Sequence, residues 1–380
     1  MTILTDLYAG SYNSVDSCIW NWKRSNNAKA IAAMAGVLDG ARRMAVAEIG
    51  DSTTIGQSTS DIGAKSKSRP SQVAAMLANA GIPTNVQSVF GDSGCNSMAQ
   101  LSDYDPTITV GTGWVSGSSY TSGGNLFNCL SPDTGIFSWT PVGNVDRFRL
   151  RHLTNTGAGI IEYSTDGTTW TTTNQNAAAS LVTVNITVTR GTNTLRIRRN
   201  SGGTVYFCTL EAWDSTTPAI DICNMGWKGG TNYDWSKSTQ PWHGLGTLTS
   251  FAPDLSIINL TLNSTDLNDV AGDNAGNFET NYKARSQAII DNVKVTGDVW
   301  LCIGNQQNPS VRTHVNQQLV RKYVYDLAVT NDLPVLDYMT RIGSWGTAVS
   351  DGVMFDTSHP TTKGYSLLAQ VEYAAFRRLL

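Results

Sequence analysis

The sequence predicts an α/β protein whose parallel-sheet domain is interrupted by an antiparallel β-sandwich. Strand and helix patterns alternate in residues 1–106 and again in residues 216–380. Residues 107–215 lack a credible long helix and contain short runs in which apolar and polar residues alternate. Alternating strands and helices form parallel sheets, whereas successive short alternating strands form sandwiches. We therefore expect one discontinuous α/β domain with a β-sandwich inserted in it.

The bulk composition argues against two classes of partner. Only 15% of the 380 residues are charged and the formal net charge is −3, so there is no basic surface of the kind that binds nucleic acid. No apolar run approaches the roughly 20 residues that a membrane-spanning helix needs. The first six residues, Met1 to Asp6, lack a basic stretch followed by an apolar core, so no secretory signal is visible.

The first α/β segment has the pattern of a βαβ unit. Apolar spacing predicts a helix in Asn27–Arg43 and then a buried strand that ends at Gly50. A second helix begins at Arg69, with proline in its first turn, and stops at a glycine. A second strand follows in Asn85–Phe90. Strand, helix and strand at this spacing predict parallel pairing.

The middle segment has the signals of paired antiparallel strands. Every second residue from Val182 to Val188 is apolar, and polar residues separate them. Asp166-Gly167 lies between two such runs, which is a strong short-range signal for a β-hairpin.

The alternation of strands and helices resumes after this segment. The strands are expected at 219–223, 254–262, Val299–Ile303 and Pro334–Met339, and the helices at Tyr282–Lys294, Val315–Thr330 and Thr362–Leu380.

Ser52 is the candidate nucleophile. It follows the first buried strand in the turn Gly50-Asp51-Ser52. Ligands bind beyond the carboxyl ends of the strands in open α/β sheets, so a serine at this point is well placed to react. A serine nucleophile also needs a base, a group that orients the base, and donors for the oxyanion.

His359 is the candidate base, and Asp356 is the candidate group that orients it. An aspartate three residues before a histidine in a tight loop can reach the distal imidazole nitrogen, and Pro360 stiffens that loop. The carboxylate would fix the tautomer and stabilise the imidazolium. The other interpretation is an ordinary surface loop before a helix, with Asp356 as a turn residue.

Two residues at strand ends are candidate oxyanion donors. Gly226 has no side chain, so its backbone amide can approach a substrate, and Asn263 could add a side-chain amide. Each residue alone is better explained as part of a turn. The order of the candidates along one predicted parallel sheet favours the functional interpretation.

Together these motifs resemble the four blocks of the SGNH (GDSL-type) hydrolases. The resemblance covers both outer segments and implies a three-layer α/β/α fold, a Ser52–His359–Asp356 triad, and oxyanion donors from the Ser52 amide, the Gly226 amide and Asn263. The third block departs from the family pattern, because Thr261-Leu-Asn263-Ser264 lacks the family's glycine and aspartate. The matching residues are Gly50-Asp51-Ser52, Asn224-Met-Gly226, Pro253 to Asn263, and Asp356-Thr-Ser-His359-Pro360.

Two further motifs compete with these candidates. Gly91-Asp92-Ser93 repeats the first block after the second predicted strand. Ser52 is preferred because it ends the first strand and opens into a βα unit, as the family requires. Asn268-Asp269 competes with Asn263 but lies farther beyond its strand.

Aromatic and basic residues suggest contacts with a sugar. Trp227, Trp235, Trp242 and His243 follow the Gly226 turn, and aromatic faces stack on sugar rings. Ordinary core packing is an equally good explanation. Arg147, Arg149 and Arg151 alternate along one predicted strand, so they share a face that could contact an acidic glycan or be solvated.

The six cysteines show no spacing that suits zinc, and free thiols are expected, although Cys129 and Cys208 could pair. No metal or organic cofactor is expected. The inserted sandwich, with its stretch from Gly191 to Tyr206, resembles the jelly-roll modules attached to carbohydrate esterases.

We therefore expect a serine esterase that removes O-acyl groups, above all O-acetyl, from a carbohydrate or surface polysaccharide. One alternative is an O-acetyltransferase with the same residues. Another is a non-catalytic glycan-binding protein of a phage tail or adhesin. The composition is compatible with an extracellular or virion protein, and the sequence leaves open whether the chain forms a homo-oligomer.

Overall fold

The computed structural model describes residues 12–57 and 64–380. The N-terminal segment tested for a secretory signal lies outside these residues. The strands are β1 (Ile19–Trp20), β2 (Met44–Gly50), β3 (Thr84–Asn85), β4 (Ser88–Phe90), β5 (Ile108–Val110), β6 (Trp114–Thr121), β7 (Gly124–Cys129), β8 (Phe137–Trp139), β9 (Val145–Thr154), β10 (Gly159–Ser164), β11 (Thr171–Asn174), β12 (Ser180–Gly191), β13 (Leu195–Gly202), β14 (Val205–Trp213), β15 (Ile220–Gly226), β16 (Leu255–Asn259), β17 (Asp298–Ile303) and β18 (Val335–Asp337).

The helices alternate with strands in the two outer parts of the chain. They are α1 (Ala28–Leu38), α2 (Ser52–Ile55), α3 (Arg69–Asn79), α4 (Met98–Tyr104), α5 (Asn232–Trp235), α6 (Gly244–Phe251), α7 (Phe278–Lys294), α8 (His314–Asn331), α9 (Tyr338–Ile342), α10 (Trp345–Ser350) and α11 (Thr362–Arg377).

A seven-stranded sheet organises the outer segments in the order β1-β18-β17-β16-β2-β15-β3. Its pairings are parallel except at the edge, where β1 runs antiparallel to β18. Alternate residues of β2 belong to different cores: Val46 packs with α1, α3 and α11, and Ala47 packs with α6, α7 and α8. Helices therefore cover both faces of this sheet, and the predicted α/β character is confirmed.

The part of the chain that follows β4 and precedes β15 forms two antiparallel sheets. One has the order β11-β10-β13-β8-β5 and the other β12-β9-β14-β7-β6, with β4 also paired to β14. Their inward side chains share one core, which includes Trp139 and Ile197 from the first sheet and Phe148 and Phe207 from the second. The predicted hairpin at Asp166-Gly167 is confirmed, because β10 pairs antiparallel with β11 across it.

Several predicted strand limits were wrong. The strand predicted at Asn85–Phe90 is divided, since β3 pairs with β15 whereas β4 joins an antiparallel sheet. The Asn85 side chain accepts a hydrogen bond from the Gln87 N–H (3.2 Å), which turns the chain between the two strands. The strand predicted at 219–223 continues to Gly226, and the one predicted at 254–262 ends at Asn259.

The observed ends of β15 and β16 both follow from the register in which these strands pair with β2. Gly50 at the end of β2 is the register partner of both Gly226 and Asn259. Three neighbouring strands therefore finish together, and residues beyond them have no partner strand. Asn263 consequently lies in a 3₁₀ turn, Asn263–Asp266, instead of at a strand end.

A buried guanidinium connects the beginning and the end of the α/β part. Arg69 on α3 donates to Glu48 on β2 (Nη2···Oε2 2.9 Å), to Thr54 on α2 (3.3 Å), and to Tyr338 and Glu372, the latter on α11. Burial raises the pKa of the Glu48 carboxyl well above its ordinary value, and the nearby Glu372 adds to this although Arg69 opposes it. The cluster holds β2 and α2 against the C-terminal helix.

A second buried carboxyl, Asp269, is poorly compensated. Its side chain is inaccessible, and the nearest guanidinium nitrogen, Arg285 Nη1, lies 3.8 Å from Oδ2 because Arg285 binds Asp273 at 2.7 and 3.0 Å. Burial raises the pKa of Asp269 to about 6. The nearby Ser264 and Arg285 oppose this rise without cancelling it.

The substitution Arg69→Met should lower the free energy of unfolding by about 3–5 kcal/mol, because it removes the buried counter-charge of Glu372 and the hydrogen-bond donor to Glu48. Urea unfolding measures the loss. The control is Arg42→Met, whose exposed pairing with Asp254 contributes at most about 1 kcal/mol. Equal losses in the two variants would contradict a special role for the buried cluster.

The substitution Asp269→Asn should remove a pH dependence of stability. An aspartate in an unfolded chain titrates near 3.9, so between about pH 4 and 6 the folded state binds the proton more strongly and loses stability as the pH rises. We expect the free energy of unfolding of the variant, relative to that of the wild type, to be higher at pH 7.5 than at pH 4.5 by on the order of 2 kcal/mol. Urea unfolding at the two pH values measures this difference. Asp291→Asn, on an exposed part of α7, is the control, and parallel curves for the wild type and Asp269→Asn would refute the assignment.

Candidate active site

Ser52 lies where β2 passes into α2. Asp51 caps the helix, because its side chain accepts hydrogen bonds from the Thr53 N–H (2.8 Å) and hydroxyl (2.6 Å). The turn requires glycine at position 50, since a Cβ there would lie 1.9 Å from the Thr54 Oγ1 atom. The tight passage from strand to helix therefore places the Ser52 hydroxyl at the carboxyl edge of the sheet.

His359 reaches this hydroxyl from the far end of the chain. The Ser52 Oγ and His359 Nε2 atoms are 2.8 Å apart although 307 residues separate them in sequence. The other ring nitrogen, Nδ1, is 2.8 Å from Asp356 Oδ2. The structure thus places the three predicted residues in one continuous hydrogen-bonded series.

The Asp356 carboxylate is held in its ionised form. Its Oδ1 atom accepts the backbone N–H groups of Ser358 and His359, each at 2.7 Å. Burial raises the pKa of Asp356, but the two N–H groups and the His359 ring lower it by more than burial raises it. The pKa of Asp356 therefore lies below its ordinary value. Asp356 can therefore orient the imidazole with a negative charge at neutral pH.

The candidate oxyanion donors differ in how far their N–H groups are already used. The Gly226 N–H donates to Asn224 Oδ1 at 2.9 Å, which argues against Gly226 as a donor to substrate. Asn263 donates through Nδ2 to the Gly230 carbonyl at 3.0 Å and retains a second N–H. The Ser52 N–H has no hydrogen-bond acceptor among the described residues.

Gly229 is a donor candidate that the sequence did not single out. The Gly230 N–H bonds to the Trp227 carbonyl at 2.9 Å, and this closes a turn in which Gly229 has a φ of +77°. The Gly229 N–H has no acceptor within the described part of the chain, and its residue is exposed. Since Asn263 binds Gly230, the Gly229 turn and the Asn263 turn are neighbours.

Asn259 is a second residue that was overlooked. It is buried at the end of β16, and its Nδ2 atom donates to the hydroxyls of Thr53 (3.0 Å) and Thr54 (3.3 Å) on α2. The signal was present, because an asparagine interrupts the apolar run Ile257-Ile258-Asn259-Leu260. This amide fixes the helix that begins with Ser52.

The aromatic residues proposed to contact a sugar are buried. Trp235 is 1% exposed within the core beside α6 and α7, and Trp227, Trp242 and His243 are at most 9% exposed. Stacking requires an accessible ring face, so this part of the prediction is corrected in favour of core packing.

The arginine face predicted on β9 is partly neutralised. Arg151 is buried and binds Glu211, and Arg149 binds the same carboxylate at 3.3 Å. Arg147 pairs with Asp146 at 3.0 Å. These ion pairs give the arginines structural roles, which the sequence spacing did not reveal.

The competing Gly-Asp-Ser motif lacks a base. Asp92 is buried and accepts hydrogen bonds from Ser116 and the Asn125 and Gly94 N–H groups, while Ser93 adopts a φ of +57°. The other histidines, His152, His243 and His314, contact Gln175, Thr239 and Gln306. Within the described residues, a histidine contacts a serine hydroxyl only at Ser52.

All six cysteines are buried free thiols, so Cys129 and Cys208 are not bonded. Burial raises the pKa of Cys208 to about 12, which makes it a poor nucleophile. Among the described residues, no group of three or more His, Cys, Asp and Glu side chains is arranged to hold a metal ion. No helix in that part of the chain is both long and apolar enough to cross a bilayer.

Comparisons with known proteins find similar solved structures. No family model matches the sequence, and no curated protein matches it. A solved peptidoglycan O-acetylesterase superposes with a TM-score of 0.71 at 14% identity, over 95% of this chain and 99% of the other.

Other solved esterases match less well. A family two carbohydrate esterase from Clostridium thermocellum has a TM-score of 0.33 at 13% identity, over 71% of this chain and 98% of the other. An acetylxylan esterase from Geobacillus stearothermophilus has a TM-score of 0.32 at 15% identity, over 42% and 73%. The match to the peptidoglycan O-acetylesterase extends over nearly the whole of both chains, and it shows that this chain has the overall fold of a known O-acetylesterase.

Proposed function

We propose that the protein is a serine esterase that removes O-acyl groups, above all O-acetyl, from a carbohydrate. The observation that carries the proposal is the hydrogen-bonded series from Ser52 through His359 to Asp356. A hydroxyl beside an imidazole whose other nitrogen is bound by a carboxylate is the arrangement that activates a serine nucleophile. The chemistry thus rests on geometry, and the shared fold is consistent with it.

The reaction proceeds through an acyl-enzyme. Ser52 Oγ attacks the ester carbonyl carbon while His359 Nε2 takes the hydroxyl proton, and Asp356 stabilises the imidazolium. The tetrahedral intermediate collapses, the C–O bond to the sugar breaks, and His359 returns the proton to the sugar oxygen. Water then attacks the acyl carbon with His359 again as base, and acetate and free Ser52 are released.

Backbone and side-chain N–H groups stabilise the oxyanion in this proposal. The donors are the Ser52 N–H, the Asn263 side chain and the Gly229 N–H, which replaces Gly226 because the latter is bound to Asn224. Preorganised donors act without reorganisation as the charge develops, so each contributes strongly to the rate.

The substrate is an acetylated polysaccharide or oligosaccharide. The solved structure with the same fold is a peptidoglycan O-acetylesterase, so acetylated peptidoglycan is the first substrate to examine. We also propose that residues 1–106 and 216–380 form the catalytic domain, and that residues 107–215 form an inserted jelly-roll, carbohydrate-binding-like module. Two antiparallel sheets with a common core support that division.

An O-acetyltransferase would use the same residues, and it differs in passing the acyl group to a sugar instead of water. Release of free acetate from the polysaccharide without an added acceptor supports the esterase. Formation of an O-acetylated acceptor sugar, with little or no free acetate, favours the transferase.

The substitution Ser52→Ala should reduce hydrolysis of p-nitrophenyl acetate by on the order of 10⁴–10⁶ in kcat, because it removes the hydroxyl that is paired with His359. The control is Ser93→Gly, which removes the hydroxyl of the competing motif and suits its positive φ. Ser93→Gly should retain wild-type turnover. Equal rates for wild type and Ser52→Ala would refute the esterase and favour a glycan-binding protein without activity.

The substitution Asn263→Ala should lower kcat about 10²- to 10³-fold with folding intact, because one oxyanion donor is lost. KM should change little, since the donor acts mainly on the charged intermediate. Asn268→Ala, which alters the exposed competing asparagine, is the matched control for the steady-state assay. Wild-type turnover in Asn263→Ala would remove this residue from the oxyanion site.

A further inference from the structure

We propose that Gln307 is a positioning residue that sets the His359 loop against the turn carrying Asn263. The inference rests on the proposed function, because it concerns the relative placement of the base and an oxyanion donor. Gln307 is 3% exposed and lies in the segment that follows β17.

One side of this segment holds the loop that carries His359. Gln307 Nε2 donates to Ser358 Oγ at 3.1 Å, and Asn305 Nδ2 donates to the Ser358 carbonyl at 2.9 Å. The Asn308 N–H donates to the Thr357 carbonyl at 2.8 Å. The loop itself is only partly buried, with the Asp356 side chain 37% exposed, so these hydrogen bonds supply much of its restraint.

The other side of the same amide holds the Asn263 turn. Thr265 Oγ1 donates to Gln307 Oε1 at 2.6 Å, and Thr265 belongs to the 3₁₀ turn that begins with Asn263. Thr265 is buried, as is Gln307. A single carboxamide thus contacts both the loop of the proposed base and the turn of a proposed oxyanion donor.

Gln307 is itself fixed by a helix. Its N–H donates to Gln317 Oε1 at 2.9 Å, and Gln317 Nε2 donates to the Gln307 carbonyl at 3.1 Å. Gln317 lies on α8 and is fully enclosed. Gln307 therefore holds both loops in place relative to one rigid helix, α8, and not only relative to each other.

This arrangement has a consequence for the chemistry. The nucleophile is fixed by β2 and α2, whereas the base and Asn263 lie on connecting segments. A displacement of about 1 Å in a catalytic group can cost about 10²-fold in rate. Loss of the Gln307 carboxamide should therefore lower kcat with little change in KM.

The substitution Gln307→Met keeps the length of the side chain and removes both hydrogen bonds. We expect kcat for p-nitrophenyl acetate to fall about 10- to 100-fold, with KM within about twofold of wild type. The matched control is Gln306→Met, since Gln306 is adjacent and buried but contacts His314 and the Trp345 N–H instead of the two loops. The control should stay within about threefold of wild type. Equal kcat values for the two variants would overturn the proposal, whatever their melting temperatures.

A double-mutant cycle separates positioning from general loss of packing. Ser358→Ala removes the acceptor of the Gln307 side chain. If the amide acts through that contact, the effects of Gln307→Met and Ser358→Ala on kcat overlap, and the double variant is less impaired than their product. Fully multiplicative effects would overturn the proposed route through Ser358.

A second readout keeps this test distinct from that of the proposed function. The rate at which a fluorophosphonate modifies Ser52 depends on activation of the hydroxyl and requires no turnover of a sugar ester. If the wild type hydrolyses no ester, the proposed function fails, but slower modification in Gln307→Met than in Gln306→Met still supports positioning. Equal modification rates, or no modification of the wild type, would overturn it.

Discussion

The buried Arg69 guanidinium is the interaction on which the rest of the site depends. It binds Glu48 four residues before Ser52, Thr54 on the helix that Ser52 begins, and Glu372 on the helix that follows the His359 loop. Elements from the two ends of the chain therefore meet around one inaccessible positive charge. Removing such a charge from between carboxylates is costly, so the cluster favours the one packing in which β2 and α11 are neighbours.

The parallel sheet places the candidate catalytic residues at one common edge. Because β2, β15 and β16 end in register at Gly50, Gly226 and Asn259, the segments beyond them emerge at one edge. Ser52 follows the first of these ends, the Gly229 turn follows the second, and the Asn263 turn follows the third. The loop that carries His359 precedes α11 and lies at the same edge. Ser52 and His359, which are far apart in the sequence, therefore come within hydrogen-bonding distance.

Residues of one type have different roles here according to burial. The tryptophans after Gly226 resemble a sugar-binding set in sequence, yet they pack in the interior, where their large apolar area stabilises the fold. Some amide side chains are buried as well, since Asn259, Asn305 and Gln307 are enclosed and hold the segments around the proposed site. In a protein with few charged residues, buried amides supply the polar restraints that ion pairs supply elsewhere.

The helices, strands and turns that depend on local residue patterns could be predicted from the sequence. Apolar periodicity located α1, α3, α7, α8 and α11, with Pro70 and Gly81 marking the ends of α3, and alternation indicated strands of the middle segment. The turns around Ser52 and His359 were recognisable because their residue types suit tight loops. Three-dimensional contacts alone show that the Gly226 N–H is bound to Asn224, that the Gly229 N–H has no acceptor among the described residues, and which aromatic rings are covered. They also show that Gln307 contacts two distant loops. Hydrogen bonding and burial arise from residues far apart in the chain, so no local pattern encodes them.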